Sequence, residues 1–196
     1  MVYDDPNDTW AHNWVAYKDE LGHFKLTSTK LLESGPLRAV LRVHSAWGNS
    51  TLTTDWILYA GSRNLQSRVT LDWHEHMKML KFSYPVDFEN PKSTYEIAYG
   101  AIVQPPNNDE NPGQRWIDVD GDRSGGTYGV AVINNAKYGY SVDGSDMRVS
   151  IARGAVFANH MPQKIDPDKD YIWQDQGIQT FDLAHNRHEA GVGQHW

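Results

Sequence analysis

Four short stretches of the chain concentrate side chains that can move protons or hold metals. The first runs Asp4-Asp5-Pro6-Asn7-Asp8-Thr9-Trp10-Ala11-His12. Closely spaced oxygen donors of this kind suit a hard cation such as calcium, but the EF-hand spacing is missing and Asx residues beside proline are ordinary turn formers. The second is Trp73-His74-Glu75-His76, where strand alternation would put both histidines on one face, able to share a metal or to stand as a solvated pair. The third is Asp118, Asp120 and Asp122 in WIDVDGDR. Glycoside hydrolysis uses two carboxyl groups roughly 5 to 9.5 Å apart, within reach of strand neighbours two apart, although Asp-Gly-Asp more often makes a turn. The fourth is His185-Asn186-Arg187-His188-Glu189, whose histidines would meet on a helix; a loop or fraying tail over 186–196 is expected instead. None of these makes a convincing catalytic or metal set, so the expectation is no catalytic residue, no metal ligand and no cofactor within the chain.

The elements that must hold these residues are strands. Leu37, Ala39, Leu41 and Val43 alternate with Arg38, Arg42 and His44, the pattern of a half-buried antiparallel strand. After the Gly48-Asn49 turn signal, Leu52, Thr54, Trp56 and Leu58 share a second face, which makes a hairpin. Further strands are predicted over 65–73, 79–84, 94–103, 128–134, 138–142, 147–151 and 178–184, with turns between Asn134 and Lys137 and at Asp143-Gly144. No window carries a 3.6-residue apolar stripe. Around ten strands in 196 residues predict a single domain over 1–196, an all-β fold built as a large antiparallel sandwich. Residues 105–113 (PPNNDENPG) lack any apolar side chain except proline and are predicted to be an exposed loop.

Composition removes several function classes. A formal charge of −7 with no Lys/Arg cluster argues against nucleic acid as a partner, and no run approaches the ~18 apolar residues of a membrane span. The absence of cysteine points to a reducing compartment, hence a cytoplasmic location, or to a bacterial source. The sequons at Asn7 and Asn49 therefore carry little meaning. Eight Trp and ten Tyr suit surfaces where flat rings meet sugars, and equally suit sheet packing. Phosphate loops, nucleophile elbows and HExxH motifs are missing.

An ordered series of blocks resembles the C-terminal region of glycoside hydrolase family 38 α-mannosidases of bacterial and cytosolic type. It begins with Asp8-Thr9-Trp10, His12 and Gly22-His23-Phe24, and continues through Glu33-Ser34-Gly35-Pro36-Leu37-Arg38 and Arg68-Val69-Thr70-Leu71-Asp72-Trp73-His74-Glu75. Leu80 to Val86 follows, with Tyr84 where the family usually has Phe; then come Tyr95-Glu96-Ile97, Trp116 with Asp118, 128–134, Lys137-Tyr138-Gly139-Tyr140, Arg153-Gly154, Asp175-Gln176-Gly177 and Phe181. Departures concentrate in 156–171. The resemblance implies a sandwich of broadly galactose-mutarotase-like architecture that packs on an N-terminal catalytic barrel of the same chain. In that barrel an aspartate nucleophile and a zinc ion act on mannose-containing oligosaccharides with retention, so neither is assigned to a residue here, and the substrate-binding residues of the sandwich are unknown. Two alternatives stay open: a carbohydrate-binding module, and an aldose epimerase drawing on His44, His74 or His76 with Asp72 or Glu75.

Overall fold

The structure, a computed structural model, describes residues 1–12, 14–160, 164–166 and 168–189. The strands in chain order are β1 (Val2–Asp4), β2 (Glu20–Gly22), β3 (Lys25–Ser34), β4 (Arg38–Trp47), β5 (Ser50–Tyr59), β6 (Asn64–Trp73), β7 (Lys78–Pro85) and β8 (Glu89–Ile97). They continue with β9 (Gly100–Gln104), β10 (Asn111–Pro112), β11 (Trp116–Arg123), β12 (Gly126–Asn134), β13 (Gly139–Asp143), β14 (Asp146–Arg153) and β15 (Gly177–Glu189). Two antiparallel sheets result: six strands in the order β10-β13-β14-β7-β1-β2, and nine in the order β3-β4-β5-β6-β15-β12-β11-β8-β9. No helix of the described residues is long and apolar enough to cross a membrane.

Alternation decides which side chains are enclosed. Val69, Leu71, Trp73, Ile117, Val119, Val132, Phe181 and Leu183 of the larger sheet meet Leu80, Val142, Met147, Val149 and Ile151 of the smaller one in a single core. Each such side chain contributes roughly 1.5–3 kcal/mol by leaving water, which makes this layer the main source of cohesion. The predicted β4–β5 hairpin forms with Trp47 paired to Ser50 across Gly48-Asn49. Gly48 takes φ +55°, and a Cβ there would lie 2.6 Å from Glu75 Oε1. The turn therefore demands glycine.

Four expectations change. The run 94–103 is two strands rather than one, because the chain folds back at Ala98-Tyr99, pairing Ile97 with Gly100. WIDVDGDR is strand throughout. Its ladder with β8 shifts register between Asp120 and Asp122, and Gly121 lets Phe88 approach to where a Cβ would be 2.4 Å away. The exposed-loop reading of 105–113 fails at its second half: Asn111–Pro112 pairs with β13, Gly113 is buried, and Glu110 turns inward to bond the Nζ of Lys81. The inward turn follows from charge, since Lys81 is fully buried and requires a counter-ion. Ser141 Oγ, 2.9 Å away, and the Tyr3 and Tyr17 rings, 5.7 and 5.5 Å away, complete its surroundings. Finally, 186–189 are no tail: β15 continues to Glu189 because Asn186, Arg187 and His188 pair with β12. Residues 190–196 lie outside the described part.

The larger sheet extends beyond the smaller one. On the side of β3, β4 and β5 that faces inward, Leu31 pairs with Leu41 and Leu41 with Trp56, while Leu58 pairs with Leu65. Along this edge Leu31 (59%), Leu41 (40%) and Leu58 (49%) stay exposed.

Candidate functional site

The third and fourth sequence stretches converge. Asp120 on β11 pairs across the ladder with Gly129 on β12, and Gly129 pairs in turn with His188 on β15. These positions, with Asp118, share the outer face of the nine-stranded sheet, opposite the face that carries Ile117, Val119 and Val132. His188 Nε2 lies 2.9 Å from Asp118 Oδ1. The donor atoms of Asp118, Asp120 and His188 all fall within 4.8 Å of one another. Gly129 makes the meeting possible, because a Cβ there would lie 2.1 Å from His188 Cε1 and 2.5 Å from Asp120 Oδ1. His188 also borders a groove of about 400 Å3 touched by Arg63, Tyr128, Arg187 and Glu189.

The electrostatics of this group are unbalanced. Burial of the His188 ring opposes protonation, but its hydrogen bonds to Glu189 O and Asp118 and the charges of Asp118 and Asp120 outweigh it, raising the pKa above 6.5. Burial, then the neighbouring Asp118 charge, raises the pKa of Asp120 above the ordinary carboxylate value, against the pull of His188 and Lys92. Asp120 Oδ1 is shielded from solvent and has no hydrogen-bond donor.

A second group gathers at the start of the chain. Asp8, buried, faces His160 Nδ1 at 3.0 Å and His12 Nδ1 at 4.0 Å. Trp10, half exposed, lies edge-on to His160 and stacks with His12 at centroid distances of 5.2 and 6.3 Å. Asp5 and Asp8 O are bound by Arg153, which fixes this segment against β14. Asp4 accepts from Lys78 Nζ at 3.1 Å. The aspartates of the first stretch thus face different partners, Asp4 Lys78, Asp5 Arg153, and Asp8 the two histidines, rather than gathering around one cation.

The remaining sequence candidates separate. β6 ends at Trp73, so strand alternation no longer governs 74–76: His74 pairs with Asp72 at 2.7 Å, whereas His76 stacks on Trp173 at 4.0 Å. Glu75 accepts from Asn49 N and Ser50 Oγ at 2.7 and 2.9 Å, locking the β4–β5 turn. His44 Nδ1 contacts Thr53 Oγ1 at 2.9 Å. Of the epimerase candidates, His74 and Asp72 meet each other, while His44, His76 and Glu75 each engage a different neighbour. Asp122 accepts from Thr127 and Asn90, away from His188. His185 faces inward, 4.2 Å from the Tyr84 ring, and burial lowers its pKa to about 4.

Two antiparallel sheets packed face to face define an all-β sandwich domain. The chain belongs to the Glycosyl hydrolases family 38 C-terminal domain family, whose model matches residues 1–169. It is 34% identical over 113 residues to alpha-mannosidase 2C1 of Mus musculus, covering 54% of this chain and 10% of that protein. Alpha-mannosidase G of Dictyostelium discoideum is 27% identical over 169 residues, covering 78% of this chain and 15% of the relative. The chain thus spans a small part of the curated relatives it matches. A solved family 38 protein from Enterococcus faecalis superimposes with a TM-score of 0.74 at 13% identity over 98% of this chain and 26% of that one, a likeness of fold.

Proposed function

We propose that the chain is a non-catalytic C-terminal portion of an α-mannosidase that hydrolyses terminal α-mannosides with retention. The observation that carries this reading is the uncovered leucine strip of β3 to β5. A sandwich that leaves Leu31, Leu41 and Leu58 in water has an apolar face for another part of a longer chain to cover. The small share of each α-mannosidase relative that the chain spans supports the same view. The nucleophile, the general acid and the zinc ion belong, in this reading, to the preceding catalytic barrel, and the sandwich packs on that barrel and lends loops to the sugar site. The lack of cysteine fits a cytoplasmic enzyme.

The test is hydrolysis of an aryl α-mannoside by the 196-residue chain. Background rates are expected, and turnover comparable to that of an intact α-mannosidase would overturn the assignment. A second reading, direct sugar binding, rests on the half-exposed Trp10 beside His12 and His160. Titration with α-mannobiose should quench its fluorescence; no change at millimolar sugar removes that reading.

A further inference from the structure

We propose that Asp118, Asp120 and His188 form a binding site for one divalent transition-metal ion on the outer face of the nine-stranded sheet, independent of the mannosidase chemistry. The argument starts from a mismatch of donors and acceptors. His188 Nδ1 lies 2.9 Å from the backbone oxygen of Glu189. A carbonyl oxygen can only accept, so Nδ1 carries the hydrogen and a neutral ring presents the bare lone pair of Nε2. That lone pair faces Asp118 Oδ1 at 2.9 Å, an atom that is itself an acceptor. Asp120 Oδ1, a third acceptor, is enclosed without any donor. Lys92, opposite Asp120 in the β8–β11 ladder, adds a positive charge nearby without reaching that oxygen.

With the ring neutral, three acceptors converge on one point, and either a proton or a metal ion can answer them. A proton on Nε2 serves Asp118 alone and leaves Asp120 Oδ1 unsatisfied. A metal ion serves all three. Donor atoms around a tetrahedral zinc ion, each about 2.0–2.2 Å from it, lie ~3.3–3.6 Å apart, so three atoms that all lie within 4.8 Å of one another close on the ion with shifts of roughly 1 Å or less. One imidazole with two carboxylates favours zinc or manganese over calcium or magnesium, which take oxygen donors throughout. The Nδ1–H bond to a backbone carbonyl is the outer contact by which metal-bound histidines are oriented. Gly129 supplies the room, since any side chain there would meet both His188 and Asp120.

Calorimetric titration of the EDTA-stripped 196-residue chain with zinc chloride, and separately with manganese chloride, tests the proposal. One equivalent should bind, and Asp120→Asn, which preserves shape, should weaken binding by roughly tenfold or more. Gly129→Ala should do the same with every ligand intact. Asp8→Asn, in the other His–Asp group, should leave the affinity unchanged. If the Asp8 variant loses binding while Asp120→Asn retains it, the metal sits at the other group and the assignment is wrong. Absence of binding at millimolar metal to the wild-type chain overturns it equally, and leaves the proton as the shared cation. Should Gly129→Ala melt early, the comparison rests on Asp120→Asn, whose unfolding midpoint without metal should match the wild type while only the wild type gains stability on adding zinc.

Discussion

His185 and His188 stand three residues apart on β15, on opposite faces of one sheet, and their pKa values move in opposite directions. The inner ring sits among Tyr84 and Trp56 with no counter-charge, so burial alone acts and drives it neutral. The outer ring is also partly buried, but two carboxylates answer the loss of water. The same residue type therefore becomes a core aromatic in one place and a charge-gathering ligand in the other. The neighbours across the ladder decide, rather than the residue itself. Lys81 shows the third outcome, a fully enclosed charge with a complete set of partners in Glu110 and Ser141.

The largest effect is expected inside. Glu110→Ala strands the Lys81 charge beneath the Tyr3 and Tyr17 rings that cover the outer face of the smaller sheet and should cost about 3–5 kcal/mol in urea denaturation, whereas the double change Lys81→Met with Glu110→Leu should recover most of that loss. A cost for Glu110→Ala below ~1 kcal/mol would show that water reaches Lys81 beneath its cover, and its contrast with His185 would collapse.

His185 gives the next effect, and its sign is fixed by the direction of its shift. The folded pKa of about 4 lies below the unfolded value near 6.5, so the fold prefers the neutral ring. Its contribution is complete above pH 6.5, declines as pH falls towards 4 and is constant below. A loss of roughly 3 kcal/mol across that window is expected from this residue, and His185→Phe should flatten that part of the pH profile of stability. An unaltered profile in the variant would mean that water or a counter-charge reaches the inner face after all.

The smallest effect belongs to the outer face away from Gly129. Arg42 and Asp55 form a two-point ion pair at 2.7 Å that stays partly exposed. Screening and side-chain entropy offset its attraction, so Arg42→Gln should leave the urea midpoint where it was. A measurable drop would make the outer surface more than a scaffold for isolated pairs.

The sheet-forming pattern was legible in the residues: alternation around Leu41 and Trp56 gave the correct faces, and Gly48-Asn49 and Asp143-Gly144 gave the turns. The meeting of His188 with Asp118 was not, because the partners are 70 residues apart and only strand register brings them together. Two signals pointed towards it. The alternation of Phe181, Leu183 and His185 with Asp182, Ala184 and Asn186 runs on into Arg187 and His188 without a break, so the strand had no reason to stop at 184. Gly129 within a β-branched run marks a position where something must approach the backbone closely. Glu110 was misplaced for a related reason, since a polar loop sequence conceals a buried lysine that calls one of its members inward.

β15 occupies the middle of the nine-stranded sheet, between β6 and β12, although it follows both by many residues. Until 177–189 are in place, the meander β3 to β6 and the group β12-β11-β8-β9 are two separate pieces, each with an unpaired interior edge. During synthesis those edges have no partner within the chain, and joining them closes loops of about a hundred residues, an entropically slow step. A polypeptide halted before Gly177 would hold most of the strands and none of the continuity, and its predicted fate is strand exchange between molecules rather than a looser version of the same sandwich.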